Sequence, residues 1–177
     1  MATEQQPRRR LWLLSSASET IGRVPLNLTW EDDEHVHDGC VERAFSVRTS
    51  RSSIPALFWR PELSGLPRPA PMLLGHGGSR HKQSDQIVRL ARWFAGKAGL
   101  AAVAIDGPYH GDRVLAPVPA PVYQALIAEE GIEAVVHRMI ADWRSVADTL
   151  DAEGLVDGAR LGYHGMSMGA VWAAFGS

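Results

Sequence analysis

The chain has 177 residues, 45% of them hydrophobic and 21% charged, with a formal net charge of −2. That length and apolar content suit one domain with its own core, and near-neutral, scattered charge excludes a basic nucleic-acid footprint. A single cysteine, Cys40, excludes an internal disulfide and a cysteine-rich metal site and suits a reducing, cytoplasmic setting; no apolar stretch is long enough to span a membrane.

Residues 1–43 read as an irregular N-terminal arm, with a polar start, Arg8-Arg9-Arg10, then Leu11-Trp12-Leu13-Leu14, Pro25 and the acidic run Glu31-Asp32-Asp33-Glu34. Arginines before an apolar run resemble an export signal. Such a signal needs roughly 7 to 15 apolar residues there, and Ser15-Ser16 ends this run early. A helix over residues 11–21 is weakened by Ser15, Ser16 and Ser18. His35-Val36-His37-Asp38 invites a metal reading, because alternate residues of a strand point to one side. A catalytic metal needs three ligands and an open position, and no further ligand run follows, so a solvated polar loop without metal is expected.

Residues 44–177 read as an α/β body. Strand-like runs at 44–49 and 54–59, joined by Ser50-Arg51-Ser52-Ser53, predict an antiparallel hairpin. The segment 61–71 holds four prolines and reads as a loop, after which Met72-Leu73-Leu74 is wholly apolar, as in a strand buried on both faces. It delivers Gly75-His76-Gly77-Gly78. Ile87, Leu90, Ala91, Phe94 and Ala98 then recur at helical spacing until Gly99. Leu100 to Ile105 is again continuously apolar, so strand, helix and strand follow as a βαβ unit with a parallel sheet. That strand ends at Asp106-Gly107-Pro108-Tyr109-His110-Gly111-Asp112-Arg113, and a proline-rich loop runs through Pro121. From Ile132 to Leu150 the apolar residues hold an i, i+3, i+4, i+7 rhythm. In boundaries, parallel strands are expected at roughly 72–75, 100–106 and 159–164 and helices at about 84–98, 131–151 and 167–175. Trp93 and Trp143 read as packing residues.

The stretch that organises the rest is Gly165-Met166-Ser167-Met168-Gly169 after the short run Leu161-Gly162-Tyr163-His164. A serine in a tight strand-to-helix turn projects its hydroxyl above the sheet, and Gly165 and Gly169 let strand and helix approach without a Cβ clash. The plain alternative is a glycine-rich turn with a capping serine. In acyl transfer the carbonyl oxygen becomes an anion, which two backbone N–H groups must already face. Gly78, or Gly77, would supply one and Met168 the other; the alternative for His76-Gly77-Gly78 is a flexible turn into a helix.

His-Gly-Gly after one strand, Asp-Gly-Pro-Tyr-His-Gly-Asp-Arg after the next and Gly-Met-Ser-Met-Gly after a third resemble an α/β-hydrolase, nearest to dienelactone-hydrolase-like and prolyl-oligopeptidase-type serine esterases and peptidases. The resemblance implies an α/β-hydrolase fold over residues 44–177, Ser167 as nucleophile, an oxyanion hole from Gly77, Gly78 and Met168, and hydrolysis of a small ester or related acyl substrate without a cofactor. It implies His76 as a brace of the oxyanion loop. It further implies an acid and then a histidine on loops after the serine, whereas the ten residues after Ser167 contain neither. The sequence is therefore expected to cover only the N-terminal part of such a hydrolase, truncated after the elbow and nearly inactive alone. Upstream His76, His81, His110, His137 and His164, with Asp106, Asp112 and Asp142, are poor substitutes within this fold: His110 and Asp112 read as loop-bracing or substrate-facing, Asp112 as a salt-bridge partner of Arg113, and His164 as packed. A reading of another class is a non-catalytic or partner-requiring binding subunit completed by a second chain. In either case the elbow strand would expose a sheet edge open to self-association.

Overall fold

Two long strands pair first. β3 (Cys40–Arg48) and β4 (Ser53–Pro61) are antiparallel, with Arg48 opposite Ser53 and Cys40 opposite Pro61. Thr49 closes the turn: its N–H donates to Ser52 O at 2.8 Å, and its hydroxyl oxygen accepts the N–H of Arg51 and Ser52. The hairpin predicted at 44–49 and 54–59 is thus present and longer at its open end. The computed structural model describes residues 27–63 and 68–171.

The other strands are β1 (Asn27–Trp30), β2 (His35–His37), β5 (Pro71–Gly75), β6 (Ala101–Ile105) and β7 (Gly162–Gly165). They form one sheet in the order β1-β3-β4-β6-β5-β7, with β2 also on β3. The first four neighbours run antiparallel, whereas β5 is parallel to both β6 and β7, with Leu74 level with Ala104 and His164. Helices α1 (Asp85–Gly96), α2 (Ala120–Glu130), α3 (Ile132–Ala152) and the short α4 (Met168–Val171) complete the layers.

Strand alternation divides the core between the two faces. Leu73, Val103, Ile105, Phe45 and Phe58 meet Val135, Met139, Trp143 and Val146 of α3 on one face. Leu74, Ala102, Ala104 and Trp59 meet Ile87, Ala91 and Ala95 of α1 on the other. Alanine against alanine lets α1 lie close to the sheet. Because β6 is buried along its whole length, its sequence is continuously apolar, as expected of a central strand covered on both faces, here antiparallel to β4 and parallel to β5.

Three expectations need correction. The stretch 27–43 is not irregular: it forms β1, β2 and the start of β3. β1 has only Leu28 and Trp30 as apolar alternates, too short a pattern to register, and its pairing comes from the long β3, where Trp30 stacks 5.7 Å from Phe45 and under the Arg43 guanidinium. The proline-rich segment is not loop throughout, since α2 starts at Ala120 with Pro121 in its first turn, where the missing N–H costs nothing. The strand expected at 159–164 begins later, because Asp157 accepts the Ala159 N–H and winds residues 158–160 into a 3₁₀ turn. α1 and α3 fall where the periodicity placed them. The helix considered at 11–21 lies outside the described residues, as does the end of the helix expected at 167–175.

Candidate active site

Because β5, β6 and β7 are parallel and in register, their C-terminal ends deliver three loops to one edge: 76–84, 106–119 and 166–167. Clefts of open α/β sheets form at such an edge. Three of the four described non-glycine residues with positive φ lie on these loops, namely Ser79 (58°), Tyr109 (64°) and Ser167 (52°). Each such left-handed backbone costs roughly 1–3 kcal/mol, and strain of this kind clusters at functional sites.

Ser167 is exposed and occupies the tip of the turn between β7 and α4. Met166 N–H donates to Gly75 O at 3.3 Å, Gly169 N–H to Met166 O at 2.8 Å, and the Tyr163 hydroxyl to Gly169 O at 2.6 Å. Burial pushes the Tyr163 hydroxyl well above its ordinary pKa, so it stays a donor. The glycines are needed sterically: a Cβ on Gly165 would stand 2.5 Å from Gly169 O, and one on Gly169 would run into the carbonyls of Gly75 and His76.

Gly77 lies against this turn, since a Cβ there would be 3.6 Å from both Ser167 Cβ and Met166 O. Gly78 borders Met168, its would-be Cβ 3.4 Å from Met168 Cε and 2.7 Å from the Tyr123 hydroxyl. The two glycines are therefore brought to this turn, Gly77 at Ser167 and Gly78 at Met168, and among the described residues no backbone acceptor takes the N–H of Gly78 or Met168. A cleft of about 410 Å³ starts at the next residue, Ser79, and is lined by Ser79, Arg80 and His81 of one loop and Tyr109, Val114 and Pro117 of the other.

His76 and His110 brace the loops. His76 Nε2 accepts the Gly107 N–H at 2.8 Å while its Nδ1 bonds Gly77 O at 2.8 Å. His110 Nε2 accepts the Ser79 N–H at 3.3 Å while its Nδ1 bonds Pro108 O at 2.6 Å. A backbone N–H can only donate, so in both rings Nδ1 carries the proton and the Nε2 lone pair is engaged. The rings lie 5.2 Å apart, and His110 is 4.5 Å from the Tyr123 ring. Burial, the main cause, lowers both pKa values below the ordinary histidine value.

The remaining sequence candidates lie elsewhere. Asp142 pairs with Arg113 at 2.6 Å, and Asp112 pairs with Lys82 rather than with Arg113 as expected. His164 is exposed rather than packed, and Trp93, also expected in packing, is 55% exposed; the two border an open groove with Met166. His137 and His81 are exposed. His35 and His37 are exposed on β2, and among the described residues no group of three or more His, Cys, Asp or Glu could hold a metal ion. Sequence reasoning missed Lys82, Tyr123 and Tyr163. Lys82 had a signal, as one of two lysines among 18 Lys and Arg residues; Tyr123 had none once its helix was read as loop.

No family model and no curated protein sequence matches the chain. Among solved structures, a cold-adapted esterase from an Arctic intertidal metagenomic library, in its polyethylene-glycol-bound form, superposes with a TM-score of 0.66 at 31% identity, over 82% of this chain and 58% of its own. The fold is that of the α/β-hydrolases. Two further α/β-hydrolase-fold neighbours are an acetyl xylan esterase from Paenibacillus sp. R4 (TM-score 0.59, 20% identity, 85% of this chain and 49% of that one) and a thermostable esterase from Pseudomonas putida ECU1011 (0.54, 24%, 80% and 39%). The chain spans 58% of the first of these esterases and under half of the other two. No helix among the described residues is long and apolar enough to cross a membrane.

Proposed function

We propose that Ser167 is the nucleophile of a serine esterase acting on a small ester or related acyl substrate, of the dienelactone-hydrolase-like or prolyl-oligopeptidase-type kind. The observation that carries this reading is the left-handed backbone of Ser167, at φ 52°, on a turn against which Gly77 closes. The esterase character of the neighbours supports it. In the reaction, Ser167 Oγ attacks the acyl carbon, the carbonyl oxygen gains negative charge, and the N–H groups of Gly78 and Met168, with Gly77 alongside, receive it. His76 and His110 hold the loop and do not take the proton, because their Nε2 lone pairs are engaged. The base and its orienting acid are assigned to loops after Ser167, in the order serine, acid, histidine; the 177-residue stretch by itself should be nearly inactive. A cytoplasmic setting is proposed with it, on Cys40 as the sole cysteine.

The test is a fluorophosphonate probe on the complete gene product. Labelling that disappears in Ser167→Ala supports the assignment, and unchanged labelling removes Ser167 from the mechanism.

A partner-requiring subunit is the second reading, and one observation favours it. Among the described residues β7 pairs with β5 alone, and beside it Leu73, Trp143, Leu161 and Tyr163 line a mostly apolar groove of about 450 Å³. A defined complex with a second polypeptide, or self-association through this edge, would be seen by light scattering; a hydrolytically active monomer would discard this reading.

A further inference from the structure

The loop 76–84 is fastened to the loop after β6 at three places. Two are the histidine bonds, Gly107 N–H to His76 and Ser79 N–H to His110. The third is an ion pair at the far end. Lys82 donates its backbone N–H to Asp106 Oδ1 at 2.8 Å and its ammonium to Asp106 Oδ2 at 2.7 Å, and a second ammonium proton to Asp112 Oδ2 at 2.5 Å. Asp106 Oδ2 also accepts the Asp112 N–H at 2.9 Å. Lys82 is 2% exposed and Asp106 is fully buried.

A pair this deep is a poor means of gaining stability, because desolvation of both ions offsets their attraction and apolar residues of similar volume often do as well. What it adds is direction. One residue holds one carboxylate through both its backbone and its side chain, a curled arrangement that suits a flexible stem with a compact ammonium. In a chain with only two lysines among 18 Lys and Arg residues, this position takes one. Gly77 and Gly78 lie between the His76 and Ser79 fastenings, and Lys82 holds the far end of the same loop three residues beyond Ser79, so the direction of their N–H groups depends on all three.

We propose that Lys82 is a positioning residue: anchored on Asp106 and steadied by Asp112, it fixes the loop so that the Gly77–Gly78 amides face the space above Ser167. This rests on the assignment of Ser167 as nucleophile. Lys82 touches no substrate and acts only through the loop.

The experiment compares Lys82→Met and Asp112→Asn in the complete gene product by amide hydrogen exchange and by kcat and KM for p-nitrophenyl acetate. Ser79 and Gly107 are the reporter amides, since their N–H groups bond His110 and His76 rather than Lys82 or its carboxylate partners. In Lys82→Met their exchange should quicken about tenfold or more relative to the β6 amides, with kcat down about tenfold or more and KM within about twofold. Asp112→Asn should give the same pattern at about two- to fivefold, without a matching loss of thermal stability, because the Asp112 side chain is 64% exposed. Unchanged exchange at Ser79 and Gly107 in folded Lys82→Met, or a loss spread evenly over the sheet, overturns the proposal. If Lys82→Met does not fold, Asp112→Asn decides alone, and no change in its exchange overturns the proposal equally. Ser167→Ala separates the two layers. If it retains activity, the nucleophile assignment fails and the exchange result still judges the loop; if it is inactive while Lys82→Met keeps its kcat, the positioning role fails.

Discussion

Gly169 and Gly77 both lie beside Ser167, yet a methyl group should do opposite things at the two positions. At Gly169 a new Cβ would collide with Gly75 O and stand 2.6 Å from the Gly75 carbonyl carbon and 2.7 Å from His76 O. All three are backbone atoms at the end of β5, held between β6 and β7, so no side chain can swing aside. Overpacking costs about 1–3 kcal/mol where side chains adjust, and a backbone shift belongs at the upper end; alanine returns up to about 1 kcal/mol of helix preference. The net expectation for Gly169→Ala is a loss of about 2 kcal/mol, roughly a thirtyfold fall in the folded-to-unfolded ratio. At Gly77 the new methyl meets Met166 O and Ser167 Cβ at 3.6 Å, ordinary contact. Gly77→Ala should therefore be neutral or stabilise by up to about 1 kcal/mol through the unfolded state, while crowding the space over Ser167 and lowering kcat. Urea unfolding followed by tryptophan fluorescence, with m unchanged, reads both. Gly169→Ala within about 0.5 kcal/mol of wild type, or Gly77→Ala with undiminished turnover, would refute this account of why the turn carries glycines.

Tyr163→Phe removes the hydroxyl that donates to Gly169 O at 2.6 Å and should cost about 1 kcal/mol in the same urea assay. His76 and His110 have folded pKa values lowered by burial, so the unfolded chain binds more protons as pH falls past the ordinary histidine value of about 6.5. Their contribution is therefore intact above that pH and is lost progressively below it, down to the folded values; a melting temperature that does not fall between neutrality and pH 5 would contradict the engaged Nε2 geometry. Leu161→Lys, beside β7 at a position 47% exposed, should reduce concentration-dependent association if the β7 edge mediates it; an unchanged mass distribution by light scattering would count against that edge.

What was legible in the sequence follows from how much each element depends on its own residues. β5 and β6 are buried on both faces and so read as unbroken apolar runs; α1 and α3 each bury one stripe and so show their period. β1 and α2 depend on others. Leu28 and Trp30 make sense only against Phe45 and Phe58, and α2 buries only Tyr123 and Ile127 at its core. The turn around Ser167 was legible because its glycines answer a local steric demand. The partners of Asp106 were not, because Lys82 reaches it across 24 residues and no spacing rule links them.

If Ser167 is the nucleophile, as proposed, the bracing histidines limit which group can serve as its base. A general base needs an imidazole nitrogen with a free lone pair within reach of the serine hydroxyl. His76 and His110 are the buried histidines on the loops beside it, and each has its unprotonated nitrogen filled by a backbone N–H. Freeing either would break a fastening of the loop that carries Gly77 and Gly78, so a side chain that served as base would disorder the donors meant to receive the oxyanion. The two tasks exclude each other in one residue. His81, the remaining histidine of that loop, is exposed and accepts the Gln83 N–H through Nδ1. On the proposed assignment of Ser167 as nucleophile, the base is therefore neither His76 nor His110, and an imidazole from elsewhere could meet the serine without disturbing the loop that His76, His110 and Lys82 already hold.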